Sequence, residues 1–319
     1  MAMLLERQKK RKVNNIFLGR PLKQVAYRTD HGWMLHGMSE DVLSSKSFNR
    51  FRGKVNLIFT SPPFPLNRKK KYGNETGDRY VKWFASFGKH FKEMLTPDGS
   101  IVIEMGNSWE PGSPVMSTLA IRSLLEFQQE NDLFLCQEFI WNNPAKLPSP
   151  AQWVNIERIR LKDSFTRLWW LSTTPKPKAS NKNVLQEYSD SMKKLLVSGK
   201  YNSGKRPSEH DIGEKSFLKN NGGSIPPNVI TIANTKANDA YQLACREQGI
   251  SMHPARMPLG LAKFFIRFLT SPGDLVLDPF AGSNITGAAA QELSRYWLGI
   301  EAQEAYVKGS KSRFARVKE

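Results

Sequence analysis

The chain has 319 residues, 39% of them hydrophobic and 11% aromatic, which is enough to furnish a sizeable core and excludes a disordered protein. Its 47 Lys and Arg against 29 Asp and Glu leave a formal charge of +18, which calls for a polyanion or an acidic membrane face as partner. No apolar run approaches the length of a membrane span and no signal peptide is visible, so a soluble, cytoplasmic protein is expected.

The basic residues cluster at Arg7–Lys12, at Arg68–Lys71 and from Lys176 through Lys219, in segments that read as separate loops. Such clusters neutralise phosphates, giving strong, salt-sensitive, sequence-independent binding, and nucleic acid is the expected partner. The two cysteines, Cys136 and Cys245, lie far apart with no metal-ligand spacing, so neither a metal site nor a disulfide framework is expected.

In chain order, residues 1–22 read as a basic arm. Trp33–His36 is a short strand, and Val55–Thr60 is a stronger one, stopped by a double proline. Asp78–Leu95 carries a helical face, with Trp83, Phe87, Phe91 and Leu95 recurring every four residues. Thr96-Pro97-Asp98-Gly99 is a turn, and Ser100–Met105 the next strand. A helix at Val115–Gln129 and strands near Leu133–Trp141 and Phe165–Ser172 follow. From 174 to 251 apolar runs become scarce, and only Val184–Leu196 reads as a helix; this is an insertion placed to make contacts. Order returns with a helix at Leu259–Leu269, a turn at Ser271–Asp274 and a strand at Leu275–Asp278. A helix at Thr286–Leu293, a strand at Tyr296–Ile300 ending in Glu301, and a final helix running to the C-terminus complete the chain. The alternation predicts an α/β fold, Rossmann-like, with a mixed, mainly parallel sheet covered on both faces. The expected organisation is a basic arm (1–22), two α/β halves (23–173 and 252–319) and an insertion between them (174–251).

Asp278-Pro279-Phe280-Ala281-Gly282-Ser283-Asn284 joins a strand to a helix, where open α/β sheets bind ligands. Gly282 lets backbone approach a ligand, and Asn284 tolerates a left-handed conformation. Alone, this loop is indistinguishable from an ordinary strand–turn–helix connection. Glu301, at the end of the following strand and about 20 residues on, suits a ribose-hydroxyl acceptor. Neither a dinucleotide fingerprint nor a P-loop is present. S-adenosylmethionine, a nucleoside without phosphates, fits a loop that has no phosphate-binding lysine.

Thr60-Ser61-Pro62-Pro63-Phe64 also follows a strand end. The prolines stiffen the backbone and remove two N–H donors, leaving carbonyls and the Ser61 hydroxyl as acceptors beside an aromatic ring. That inventory suits a planar base whose amine needs acceptors and whose face needs a stacking partner.

Together, Ser61-Pro62-Pro63-Phe64 and Asp278-Pro279-Phe280-Ala281-Gly282 resemble the motifs of the amino-methylating DNA methyltransferases. Their order, catalytic motif, polar insertion, then cofactor motif, is similar to the β class, and the likeness is closest to its N4-cytosine members. It extends through Ser61–Gly73, Tyr80–Gly99, Trp141–Trp153, Ala179–Asp190, Asn202–Val229, His253–Arg256 and Phe264–Asn284. The resemblance implies that Ser61, Pro62, Pro63 and Phe64 hold a flipped cytosine of double-stranded DNA. It implies S-adenosyl-L-methionine as cofactor, with Asp278, Phe280, Ala281, Gly282, Ser283 and Asn284 at its pocket and Glu301 on its ribose. His253 and Pro254 are then expected beside its methionine moiety. Arg68, Lys69, Lys70, Lys71, Lys205, Arg206, Lys215 and Lys219 are the expected DNA contacts.

The enzyme so implied is the modification half of a restriction-modification system. A cognate endonuclease would be its genetic rather than physical partner, and a monomer suffices to methylate each strand in turn. Two positions depart from the family: Gly37-Met38 where Gly-Asp is common, and Ile285 between Asn284 and Thr286. Serine at the first catalytic position favours cytosine N4 over adenine N6. The alternatives that stay open are adenine N6 methylation, a catalytically impaired DNA-binding relative and, more remotely, an RNA substrate. Carbon-5 methylation is disfavoured because neither cysteine lies in a Pro-Cys context.

Overall fold

The computed structural model describes Phe17 and residues 21–64, 75–214, 217–235 and 239–318. Most of the basic arm, the loop Arg68–Lys71 and Lys215 lie outside the described residues. The chain divides into two units, one of Met1–Ala179 with Asn228–Glu319, the other of Ser180–Pro227.

In the first unit, the hairpin β1 (Val25–Arg28) and β2 (Gly32–His36) leads through α1 (Ser39–Ser44) to β3 (Val55–Thr60). Helix α2 (Gly77–Met94), β4 (Leu95–Gly106), α3 (Leu119–Glu130), β5 (Phe134–Asn142) and β6 (Phe165–Ser172) follow. The smaller unit holds α4 (Asp190–Ser198) and a hairpin of β7 (Gly204–Lys205) and β8 (Asp211–Ile212). The chain then re-enters the first unit through β9 (Val229–Thr231), α5 (Ala240–Glu247), α6 (Leu259–Leu269) and β10 (Leu275–Asp278). It ends with α7 (Ile285–Glu292), β11 (Tyr296–Glu301) and α8 (Glu304–Ser310).

The main sheet runs β1-β2-β11-β10-β3-β4-β6-β5-β9. Its centre, from β2 to β4, is parallel throughout; β1 pairs antiparallel with β2, β6 antiparallel with both β4 and β5, and β9 parallel with β5. Strands such as Leu57-Ile58-Phe59 read as unbroken apolar runs because both faces are covered. Ile58, Ile101, Ile103, Leu277 and Leu298 pack against Phe84, Phe87 and Phe91 of α2 and Phe127 of α3. Leu57, Phe59, Val102 and Val276 pack on the other side with Leu261, Phe265 and Leu269 of α6 and Ala289 of α7. No helix among the described residues is long and apolar enough to cross a membrane.

The decisive pairing is β3 beside β10, with Leu57 opposite Val276 and Ile58 opposite Leu277. It brings the carboxyl ends of two strands together, so the Ser61 and Asp278 loops emerge side by side. β4 flanks β3 in parallel, with Thr60 opposite Ile103, which sets Glu104 level with Ser61.

Local departures have physical causes. The expected turn at Thr96–Gly99 does not separate the helix from the next strand; β4 begins at Leu95, directly after α2, and these residues loop out within it, because Val55 pairs with Leu95 while Leu57 already pairs with Ser100. A proline without an N–H suits that excursion. Helix α3 begins at Leu119 instead of Val115, since Met116 is held in a bridge with Trp109. Helix α4 starts at Asp190, where the Ser189 hydroxyl caps the Met192 N–H, not at Val184. Sequence periodicity missed α5, which buries only Tyr241 and Cys245 and starts at the Asp239 cap. Residues 228–251 accordingly join the sheet unit. The last helix stops at Ser310, a short 3-10 turn follows, and Lys318 bridges back to Arg28.

Candidate active site

The ledge after β3 is held from three sides. Tyr80, buried in α2, donates its hydroxyl to the Pro63 carbonyl at 2.7 Å. The Phe64 ring lies on Gly106, where an added Cβ would come within 2.5 Å of the ring. The Ser61 hydroxyl donates to Glu104 Oε2 at 2.5 Å. The restraints come from α2 and from β4, so the ledge has little freedom to move.

Glu104 escaped the sequence-based expectations. It is 5% exposed, and burial pushes its carboxyl up to about 7, opposed by the Ser61 hydrogen bond and the Lys146 charge. Its only signal was an acid inside the apolar strand Ile101-Val102-Ile103-Glu104-Met105, which could have been weighed as a functional buried charge. Glu104, Ser61 and Phe64 open onto a cavity of about 450 Å³ that also receives Asn107, Lys146, Asp163 and Thr166.

On the other side of Ser61 and Phe64 lies a cavity of about 160 Å³, lined by Met38, Glu40, Trp83, Phe280, Glu301 and Tyr306 among others. His253 borders both cavities. Glu301 accepts the Gly282 N–H through Oε2 and the Gln303 N–H through Oε1, both at 2.8 Å, and burial raises its pKa. Each of its oxygens keeps a second lone pair for a hydroxyl. Gly282 is left-handed, with φ +50°, and a Cβ there would approach His253 Nε2 to 2.9 Å. The residue is therefore fixed by both strain and contact. The rings of Trp83 and Phe280, 5.9 Å apart, give an apolar wall, and Trp83 donates to Glu40 at 2.7 Å.

These features fit a nucleoside cofactor: a carboxylate for ribose hydroxyls, rings for the base, and close backbone without a phosphate-binding lysine. Met38, where the family commonly has an acid, lines this cavity and is half exposed. The polar partner on that side is Glu40.

Asp278 and Asn284 sit beneath the loop. Asp278 is 3% exposed; Thr60 and Thr286 donate to its two oxygens at 2.7 and 2.6 Å, and the Phe280 N–H adds a third bond at 3.1 Å. Burial nevertheless pushes its carboxyl up to about 6. It is the strut that ties β3 to the cofactor loop. Ile285, the other departure, is buried among the core residues, which frees Thr286 to reach Asp278. Asn284 adopts φ 57° and ψ 43° as expected, but its side chain is fully buried, capping the Gly287 N–H and donating to the Tyr27 hydroxyl. Asn284→Ala should lower stability by about 2–4 kcal/mol, combining a lost cap, left-handed strain and the loss of one buried hydrogen bond to the Tyr27 hydroxyl, which keeps Ser310 as partner. Urea denaturation checks this, and a loss below about 1 kcal/mol would contradict it.

Ala281 and Ser283 are buried, and the Ser283 carbonyl accepts from Arg313 at 2.5 Å. Pro254 borders the larger cavity, behind His253, whose N–H is held by the Tyr241 hydroxyl at 2.9 Å. Lys205, Arg206 and Lys219 belong to the 180–227 unit and are exposed.

The sequence profile of a DNA methylase family matches residues 55–312. The Type II methyltransferase M.PvuII of Proteus hauseri is 46% identical over 294 residues, spanning 92% of this chain and 86% of its own. The solved cytosine-N4-specific PvuII DNA methyltransferase is similar with a TM-score of 0.74 and 39% identity, over 92% of this chain and 90% of that one. A Thermus thermophilus protein solved in complex with S-adenosyl-L-methionine shares the fold at a TM-score of 0.53 and 19% identity, over 90% of this chain and 95% of that one. The matched span runs from the strand before the ledge, through both cavities, to the turn after α8, and this chain belongs to the DNA methylase family.

Proposed function

We propose that the chain methylates the N4 amine of a cytosine flipped out of duplex DNA, as the modification half of a restriction-modification system. The observation that carries this is the ledge itself: Ser61 and Phe64 wall off two neighbouring cavities, and the Ser61 hydroxyl is bonded to a buried carboxylate. Cytosine N4 is favoured by serine at the head of the ledge and by the 46% identity to M.PvuII.

S-adenosyl-L-methionine, held by Glu301, Gly282, Phe280 and Trp83, supplies an electrophilic methyl when bound. The chain's own task is to make a poor nucleophile competent. The amine's lone pair is delocalised into the base, and acceptors that draw its hydrogens out of plane localise it. Tyr80 takes the Pro63 carbonyl, which leaves this task to the Ser61 oxygen and the Pro62 carbonyl. As the N4–methyl bond forms, the amine must lose a proton. Ser61 accepts it and passes its own hydroxyl proton to Glu104, whose pKa near 7 suits the transfer. Phe64 stacks on the base and excludes water.

Flipping costs a few kcal/mol, offset by contacts along the phosphates. The 180–227 unit, with Lys205, Arg206 and Lys219, reads as target recognition, and Lys215 together with the loop Arg68–Lys71 as backbone grip. The double charge reversal Lys69→Glu/Lys70→Glu should weaken duplex binding about tenfold or more at low salt and flatten its salt dependence. Fluorescence anisotropy across salt concentrations measures both, and an unchanged slope would remove this loop from the interface.

Sequencing of DNA modified in vitro, with detection of N4-methylcytosine, tests the base, atom and site together. A product containing only N6-methyladenine would sink the cytosine assignment. No measurable S-adenosylmethionine binding would favour a pure DNA binder.

A further inference from the structure

The larger cavity contains a charge cluster that the methyl transfer just described does not use. Lys146 Nζ approaches Asp163 Oδ2 at 3.4 Å, Asn107 Nδ2 donates to Asp163 Oδ1 at 2.8 Å, and Arg167 donates to Asn107 Oδ1. Arg167 is itself held at 3.4 Å by Glu138. These residues come from β5, β6, the loop between them and the position just after β4, and together they fix one ammonium. Asp163 is largely buried, its side chain 11% exposed, whereas that of Lys146 is 32% exposed. The buried members hold, and the lysine is presented. Lys146, Glu104 and Ser61 line the same cavity, and the lysine's charge favours ionisation of Glu104.

The donor inventory of the cavity narrows what this ammonium can serve. Both ends of the Asn107 amide are spent within the cluster. Arg256, the other lysine or arginine in the lining among the described residues, is drawn to Asp239 at 2.9 Å and to the Tyr241 ring. An ionised Glu104 can only accept. Lys146 has three N–H groups, one of which goes to Asp163.

Cytosine presents its amine, N3 and O2 in sequence along one edge. With the amine at Ser61, the far end of that edge is an acceptor that needs a donor. Adenine has a ring nitrogen in place of N3 but a C–H where cytosine has O2. We propose that Lys146, clamped by Asp163 and Asn107, donates to O2 of the flipped cytosine and thereby selects cytosine over adenine. This rests on the N4 assignment above. In an adenine complex the ammonium would be drawn from water with nothing to bind, a mismatch that penalises adenine more than it helps cytosine.

The test pairs a variant with a substrate analogue. Single-turnover methyl transfer is measured for the wild type and Lys146→Met on duplexes carrying cytosine or the 2-aminopyridine C-nucleoside at the target. That analogue keeps the amine and the adjacent ring nitrogen and replaces O2 by C–H. The wild type should methylate the analogue about 10- to 100-fold more slowly than cytosine. Lys146→Met should be slowed to a similar degree on cytosine, with less than about threefold further loss on the analogue. An analogue penalty equally large in the variant would overturn the assignment and point to another donor, the Asn143 amide first. The double variant Lys146→Met/Asp163→Asn, which leaves no unpaired carboxylate behind, should repeat the pattern if the single variant folds poorly. Failure of the wild type to make N4-methylcytosine in the cytosine arm would overturn the N4 assignment itself, and this inference with it.

Discussion

Ser61→Ala should lower single-turnover methyl transfer by about 10²- to 10³-fold while changing S-adenosylmethionine affinity by less than about threefold. The hydroxyl belongs to the ledge, whereas the ribose and base of the cofactor are assigned to Glu301, Trp83 and Phe280, which line the smaller cavity. The substitution removes an acceptor from the target amine and cuts the path from that amine to Glu104, which is bonded to Ser61 at 2.5 Å. It also leaves a 5% exposed carboxylate without its hydroxyl partner, pushing that group further toward the protonated form, in which it cannot accept. Rapid-quench transfer assays and calorimetric cofactor titration separate the two effects. A variant that transfers methyl groups at the wild-type rate would exclude Ser61 from the reaction.

Much of this arrangement was legible in local pattern. The apolar run Val55–Thr60 stopped by Pro62-Pro63 marked a buried strand and a stiff exit, and both are present. The acids at the ends of β10 and β11 also stood out, though burial divided their work. Glu301 borders the smaller cavity, while Asp278 borders the larger one with its two oxygens taken by Thr60 and Thr286. What local pattern could not carry is the pairing of β3 with β10, strands more than half the chain apart. Sheet order is set by helices covering both faces, a long-range property with no signature in either strand. Glu104 and Lys146 were missed for the same reason. Lys146 looks ordinary in its own segment, Glu104 shows there only as an acid within an apolar strand, and each acquires its role only when β4 and the β5–β6 loop are laid beside the ledge.

Glu104→Gln should separate catalysis from stability, because the burial that raises its pKa penalises the folded protein. In the wild type the chemical step should rise with pH through about 7 and level off above it, as the carboxylate becomes able to take the Ser61 proton. The amide variant should be slower by about 10²-fold at pH 8 and show no inflection near 7. Stability should move the other way. From its ordinary value of 4.5 up to about 7, the folded protein holds this proton more tightly than the unfolded chain does. Wild-type stability therefore falls as pH rises across that window, by an upper bound of about 3 kcal/mol. Glutamine carries no such penalty, so the variant should melt above the wild type at pH 8, with the difference shrinking toward pH 5. Asp278, pushed up to about 6, contributes a loss of the same sign to both proteins and cancels in the comparison. Lys146, deprived of one nearby charge, offsets part of the gain. A variant that keeps the inflection near 7 would show that some other group receives the proton.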